Sequence, residues 1–207
     1  MLHLTNYSKS YLNQTVLSID NLAIREGLHL IQGANGSGKT TLFQSISGII
    51  NFHGECILNG INLNKQPVEY RRLINYCEAE PQFPGFLTGK ELLRFVHNTK
   101  QTPKSDFDGI VELFGLQKFW NQPIATYSSG MLKKTSLATA FAGIPKAILL
   151  DEPFTTIDLA GKNFLCDMIK EYQSRGCLFL ISAHQQTDTI PLSFDSILVL
   201  ENNTLKR

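Results

Sequence analysis

The sequence predicts an α/β fold: a mixed-sheet core with antiparallel β material near its start and a helical insert in the middle. Three observations predict it. An apolar run at Leu28, Leu30 and Ile31 meets a turn containing Gly33, Gly36 and Gly38, after which Leu42, Ile46 and Ile49 recur at helical spacing. Beyond Pro145, continuous apolar runs alternate with a helical pattern, as strands buried on both faces of a parallel sheet do. Between these parts, from Pro81 to Phe141, apolar residues fall three and four apart. With 207 residues, 43% of them apolar, the chain is expected to form one domain, its core at 1–80 and 142–207 and its helical subdomain at 81–141.

The elements follow in order. Leu2 to Tyr7, Val16 to Ile24 and Leu28 to Gln32 read as strands, and Gly54 to Leu63 as a hairpin turning at Asn59-Gly60. Thr88 and Glu91 form a capping box ahead of Leu92, Phe95 and Val96, which are expected to share an inward face. Ile110, Val111, Leu113 and Phe114 mark a second helix, interrupted at Gly109 and ended at Gly115; a third starts near Ser128 or Ser129, carries Leu132, Leu137 and Phe141, and stops at Gly143. The run AILLDEP is a buried strand, and Asp158 caps a helix whose inward face is Phe164, Leu165, Met168, Ile169 and Tyr172. CLFLISAH and SILVLENNTLK supply the last strands.

Nineteen Lys and Arg against 18 Asp and Glu call for no nucleic-acid partner, and the pair Lys133-Lys134 reads as a solvated helix face. Four scattered cysteines without a C-x-x-C suit a reduced, cytosolic setting, with the thiols in strands and helices. No apolar stretch is long enough to span a bilayer, no signal-peptide core is present, and the end at Arg207 is expected to leave no room for a regulatory domain.

GANGSGKT, from Gly33 to Thr40, fits G-x-x-x-x-G-K-[ST]. Glycines let backbone N–H groups turn toward an anion, and the helix after them points its positive end at the same place. Lys39 can then reach terminal phosphates, and the Thr40 hydroxyl can ligate Mg²⁺. The strand AILLD delivers Asp151 to the same edge of the sheet, where it can meet that metal, and Glu152 can act as general base or orient an attacking water. His184 follows another apolar strand and should arrive there too, for contact with the γ-phosphate and the water.

On these residues the sequence resembles an ATP-binding subunit of the ATP-binding cassette (ABC) transporter family, bacterial exporter-like, across nearly its whole length. Gly33 to Thr41 matches the Walker A loop, making Gly33, Asn35, Gly36, Ser37, Gly38, Lys39, Thr40 and Thr41 the nucleotide-binding residues; Ala147 to Pro153 matches Walker B, and His184 the switch histidine. YSSGM, Tyr127 to Met131, aligns with the signature LSGGQ, and Thr155-Thr156-Ile157-Asp158 resembles the D-loop. Tyr11 stands where the family stacks a ring on adenine; an exposed or structural tyrosine is the alternative. Ser129 replaces a signature glycine and Met131 the glutamine. Ala79 stands where the family has its Q-loop glutamine, so metal or water ligation there would fall to Glu80, or to Gln82 in a shifted alignment.

The resemblance implies a P-loop NTPase fold of ABC type and an ATPase using ATP and Mg²⁺. It implies a head-to-tail dimer in which Ser128, Ser129 and Gly130 of one copy face the ATP on the other. It further implies separate transmembrane permease subunits, docking near the insert and the loop from Tyr76 to Leu87, with this chain on the inner face of the cell membrane. The phenylalanines of EPQFPGFL are then either an exposed interface patch or buried beneath the insert. A soluble, non-transport ABC ATPase acting on ribosomes or DNA is the alternative; it would favour a tandem cassette, a coiled-coil insertion or a basic stripe, none of which is present. A small-molecule kinase would need a lid and an acceptor pocket in place of YSSGM, and a module that holds nucleotide without turnover is at odds with Glu152 and His184.

Overall fold

A computed structural model describes residues 1–12, 14–155, 157–183 and 191–206. Strands β1 (Leu2–Tyr11), β2 (Gln14–Ile24), β4 (His53–Leu58) and β5 (Ile61–Asn62) form an antiparallel sheet in the order β2-β1-β4-β5. The β4–β5 hairpin turns at Asn59 and Gly60 as expected, both at positive φ (49° and 82°), the twist that matches the flanking strands.

The second sheet runs β10-β9-β3-β8-β7-β6 and is built from β3 (Gly27–Gln32), β6 (Ile74–Cys77), β7 (Ala147–Asp151), β8 (Leu178–Ala183), β9 (Ser196–Glu201) and β10 (Thr204–Lys206). Every neighbouring pair in it is parallel except the β9–β10 hairpin. The ends of β3, β8, β7 and β6 therefore share one edge, although they come from distant parts of the chain.

Helices α1 (Lys39–Ile46), α2 (Pro67–Leu73), α3 (Gly89–Thr99), α4 (Lys104–Leu113), α5 (Ser129–Ala140) and α6 (Leu159–Ser174) join the sheets among the described residues, with 3-10 turns at Leu116–Lys118 and Ile124–Thr126. Strand β7 explains the two-sided core. Ala147 and Leu149 face α1 and the antiparallel sheet, with Leu4, Leu42, Phe43 and Ile46. Ile148 and Leu150 face the opposite way, toward Leu137 and Phe141 at α5 and Leu165 and Ile169 of α6. A strand covered on both faces has no polar side to show, hence its unbroken apolar run.

The caps stand as anticipated. Thr88 and Glu91 form the reciprocal capping box of α3, Ser128 caps α5, and Asp158 caps α6. Other details differ. Phe95 is 69% exposed; α3 buries Leu92, Leu93 and His97, and Phe95 lies two residues past Leu93, on the far side of the helix. Leu113 faces outward while Ile110, Val111 and Phe114 face in. Gly109 does not interrupt α4, which runs unbroken from Lys104 to Leu113 and buries Ile110 and Val111 directly after it. Helix α2 and strand β6 carried too few residues to register as periodic signals. The EPQFPGFL segment divides: Phe83 and Leu87 pack on Leu92, Ile124 and Tyr127, whereas Phe86 is 84% exposed.

Candidate active site

The loop between β3 and α1 sits at the shared edge. Gly36 (φ 76°) and Gly38 (φ 106°) occupy the left-handed half of backbone space, which L side chains rarely adopt. Gly38 is the N-cap of α1 and offers no side chain to its first turn, so the N–H groups there remain available to an anion. Lys39 is buried and its Nζ donates to the Gly33 and Ala34 carbonyls, at 2.8 and 3.0 Å, folding back over the loop. The Ser37 hydroxyl oxygen is buried with no hydrogen-bond partner among the described residues, a vacancy in the loop's own bonding.

Asp151 ends β7 buried among donors. Its Oδ2 accepts from the Thr40 hydroxyl at 2.7 Å and from the Tyr76 hydroxyl at 3.3 Å, and its Oδ1 accepts from the Ser182 hydroxyl. Burial, with the Asp151 charge beside it, lifts the Tyr76 phenol far above its ordinary range, so Tyr76 stays a donor. One carboxylate and one hydroxyl form a hard-oxygen pair of the kind Mg²⁺ takes when substrate phosphates complete its shell. The residues present therefore fit Mg²⁺.

Glu152 follows at φ 46°, an uncommon backbone for a side chain of its size and one that costs about 1–2 kcal/mol. Its N–H donates to Ser182 Oγ at 2.9 Å, and its carbonyl accepts from Thr155.

Two adjoining cavities meet here. One, of about 400 Å³, is walled by Tyr11, Val16, Asn35, Gly36, Gly38, Lys39, Thr40, Thr41 and Glu152. The other, of about 390 Å³, is walled by Asn35, Thr40, Gln44, Tyr76, Glu78, Ala79, Glu80 and Glu152. The fold thus brings Tyr11, the glycine loop, Glu152 and Glu80 together, with Asp151 bonded to Thr40 beneath them. Ser128, Ser129 and Gly130 begin α5 away from these walls, where Ser128 Oγ accepts from the Met131 N–H at 3.3 Å. Asp158 is likewise apart and accepts from the Gly161 N–H at 2.7 Å. His184 and Thr156 lie outside the described residues.

Lys133 requires a correction. Expected on a solvated face, it is 1% exposed. Its Nζ donates to the carbonyls of Glu78 (2.9 Å), Ala79 (3.2 Å) and Asp151 (3.0 Å), tying α5 to the loop after β6 and to the end of β7. The signal that marks it is spacing: Lys133 stands four residues before Leu137, on the buried stripe that runs on to Phe141. Ser182 and Glu78 also escaped notice. Ser182 pairs in register with Asp151, a relation visible only once β7 and β8 are known to be neighbours.

The sequence profile of the ABC transporter family matches residues 17–155. The chain belongs to the ABC transporter family. An uncharacterized ABC transporter ATP-binding protein of Bacillus subtilis (strain 168), YhcH, is 30% identical over 99% of this chain and 68% of its own length. The phospholipid-transporting ATPase ABCA7 of Homo sapiens is 28% identical over 91% of this chain, which spans 9% of that protein. Among solved structures, the ATP binding subunit of an ABC transporter superposes with a TM-score of 0.89 at 27% identity, covering all of this chain and 88% of that one. The ATP-binding cassette MJ0796, a post-hydrolysis dimer bound to ADP and Pi, shares the fold at a TM-score of 0.84 and 22% identity, covering all of this chain and 97% of that one. The ABC domain described here is an ATP-binding ATPase domain of that family.

Proposed function

We propose that this ABC ATPase is the motor subunit of a transporter. Two copies close head-to-tail on two ATP molecules, and that closure moves separate transmembrane permease subunits; hydrolysis reopens the pair. The observation that carries the catalytic part is the junction of Thr40, Asp151 and Glu152 at the wall of the cavity that holds Tyr11 and the glycine loop.

Lys39 and the loop amides bind the phosphates and offset their charge, and Tyr11 packs against the base. Thr40 and Asp151 would hold Mg²⁺, with Glu80 at the neighbouring wall; the ion, when bound, supplies electrostatic stabilisation of the transferring phosphoryl group. Glu152 orients the attacking water and receives its proton. By family resemblance His184 contacts the γ-phosphate, and Ser128, Ser129, Gly130 and Asp158 act across the dimer. The placement of Ser128 at an exposed helix start, away from its own chain's glycine loop, supports a role toward a second copy. So does the dimeric state of MJ0796.

No helix among the described residues is long and apolar enough to cross a membrane; in this reading the transmembrane subunits supply the spans. A cavity of about 490 Å³ between α2, β6, α3 and α5 supports docking beside the helical insert, with Ile49, Val68 and Val96 as its apolar wall and Arg71, Arg72 and Lys100 around it. Such a complex would sit peripherally on the cytoplasmic face of the membrane.

The deciding experiment is Glu152→Gln, assayed with Mg·ATP. ATP should bind while hydrolysis slows on the order of a hundredfold, and the variant should accumulate as an ATP-dependent dimer in size-exclusion chromatography. Hydrolysis at the parent rate would remove Glu152 from its role. A variant that stays monomeric with saturating ATP would remove the closing dimer, and purification of the chain from its native membrane without a permease would remove the transport role.

A further inference from the structure

We propose that Lys133 and Ser182 are positioning residues that grip the Asp151–Glu152 peptide group from its two edges and so aim the Glu152 carboxylate; this rests on Glu152 directing water, as proposed above. The carbonyl of that peptide accepts from Lys133 Nζ at 3.0 Å, and its N–H donates to Ser182 Oγ at 2.9 Å. The peptide is trans, so the two groups point in opposite directions and the two bonds together oppose rotation of its plane. Such a restraint is what a residue at φ 46° requires, because an unrestrained glutamate would relax toward negative φ.

Both grips are themselves anchored. The Lys133 ammonium directs its remaining donors to the Glu78 and Ala79 carbonyls, and it is carried by α5. Ser182 is fully buried in β8 opposite Asp151 and donates its own proton to the Asp151 carboxylate. The acceptor that stabilises the Glu152 backbone is thereby oriented by the carboxylate assigned to the metal. Neither side chain lines the two cavities of the site, so their influence on the reaction passes through Glu152.

The test uses the full chain carrying Lys133→Met, Ser182→Ala or both, with kcat, ATP Kd and the thermal midpoint measured in parallel and a crystal structure of each single variant. Each single change should lower kcat about ten- to hundredfold, the scale of a misaimed catalytic group, with ATP Kd within about threefold of the parent. The double variant should lose little beyond the worse single, because both release the same peptide, and Glu152 should leave positive φ in the crystals. Unchanged kcat in both singles, losses that multiply in the double, or Glu152 still at positive φ in both crystals would overturn the proposal. Should Lys133→Met fail to fold, Ser182→Ala, which removes one hydroxyl, decides alone. If the parent chain does not hydrolyse ATP, the motor assignment falls, and the backbone of Glu152 in the crystals still decides this one.

Discussion

The Thr40 hydroxyl donates a 2.7 Å hydrogen bond to the Asp151 carboxylate, joining the first turn of α1 to the last residue of β7 across 111 positions of sequence. The bond exists because β3 and β7 run parallel on either side of β8, which delivers the start of α1 and the end of β7 to one edge. A hydroxyl and a carboxylate this close can turn to one cation. Asp151→Asn keeps the shape and removes the charge, so it should weaken Mg²⁺ affinity of the ATP complex by about tenfold or more. Calorimetric titration of Mg²⁺ into the ATP-loaded variant checks this; parent-like affinity would exclude Asp151 as a ligand.

Lys39 now spends its ammonium on the Gly33 and Ala34 carbonyls. Lys39→Ala should cost ATP binding about 1.5–3 kcal/mol, the worth of hydrogen bonds to a charged group, or about ten- to hundredfold in Kd. Fluorescent-nucleotide titration reads it directly. An unaltered Kd would place the phosphates elsewhere.

His97 of α3 is 3% exposed; among the described residues the Ala138 backbone is the polar group that approaches its ring, at a geometry too poor for a full hydrogen bond, while the ring meets Phe107 edge-on at 4.7 Å. Burial pushes its pKa down from 6.5 to about 4, with the Ala138 backbone opposing. The unfolded chain therefore takes up a proton near pH 6.5 that the folded chain refuses until about pH 4. Stability from this group is complete above pH 6.5 and is lost as pH falls through that window, by about 3 kcal/mol in all. Urea unfolding of His97→Leu should show a shallower loss between pH 6.5 and 4 than the parent. Parallel pH profiles would refute the assignment.

Phe141, fully buried beyond the end of α5, packs against Phe114, Tyr172 and Phe179. Phe141→Ala should destabilise the chain by about 3–5 kcal/mol through lost burial and a residual cavity. Chemical denaturation measures it, and a cost below about 1 kcal/mol would mean that α5 does not close this core.

Sequence reading succeeded where the cause is local. The Thr88–Glu91 box and the Asp158 cap rest on bonds between residues three apart, and Asn59-Gly60 on backbone freedom within a two-residue turn. The runs of β7 and β8 were legible because a strand covered on both faces must be apolar throughout. It failed where a long-range contact overrode a local preference. Lys133 looked like an ordinary surface lysine, and three distant carbonyls made it a core residue; Phe95 looked inward, and the phase of α3 turned it out.

By itself the sequence determined a loop able to take phosphate and a strand ending in two carboxylates, since glycine spacing and strand burial are written in adjacent residues. Only the tertiary structure decided that Tyr11 shares a cavity with that loop, that Ser182 stands opposite Asp151, and that an ammonium and a hydroxyl hold the Glu152 peptide. Those relations depend on which strand lies beside which, and strand order is set by the packing of the whole chain.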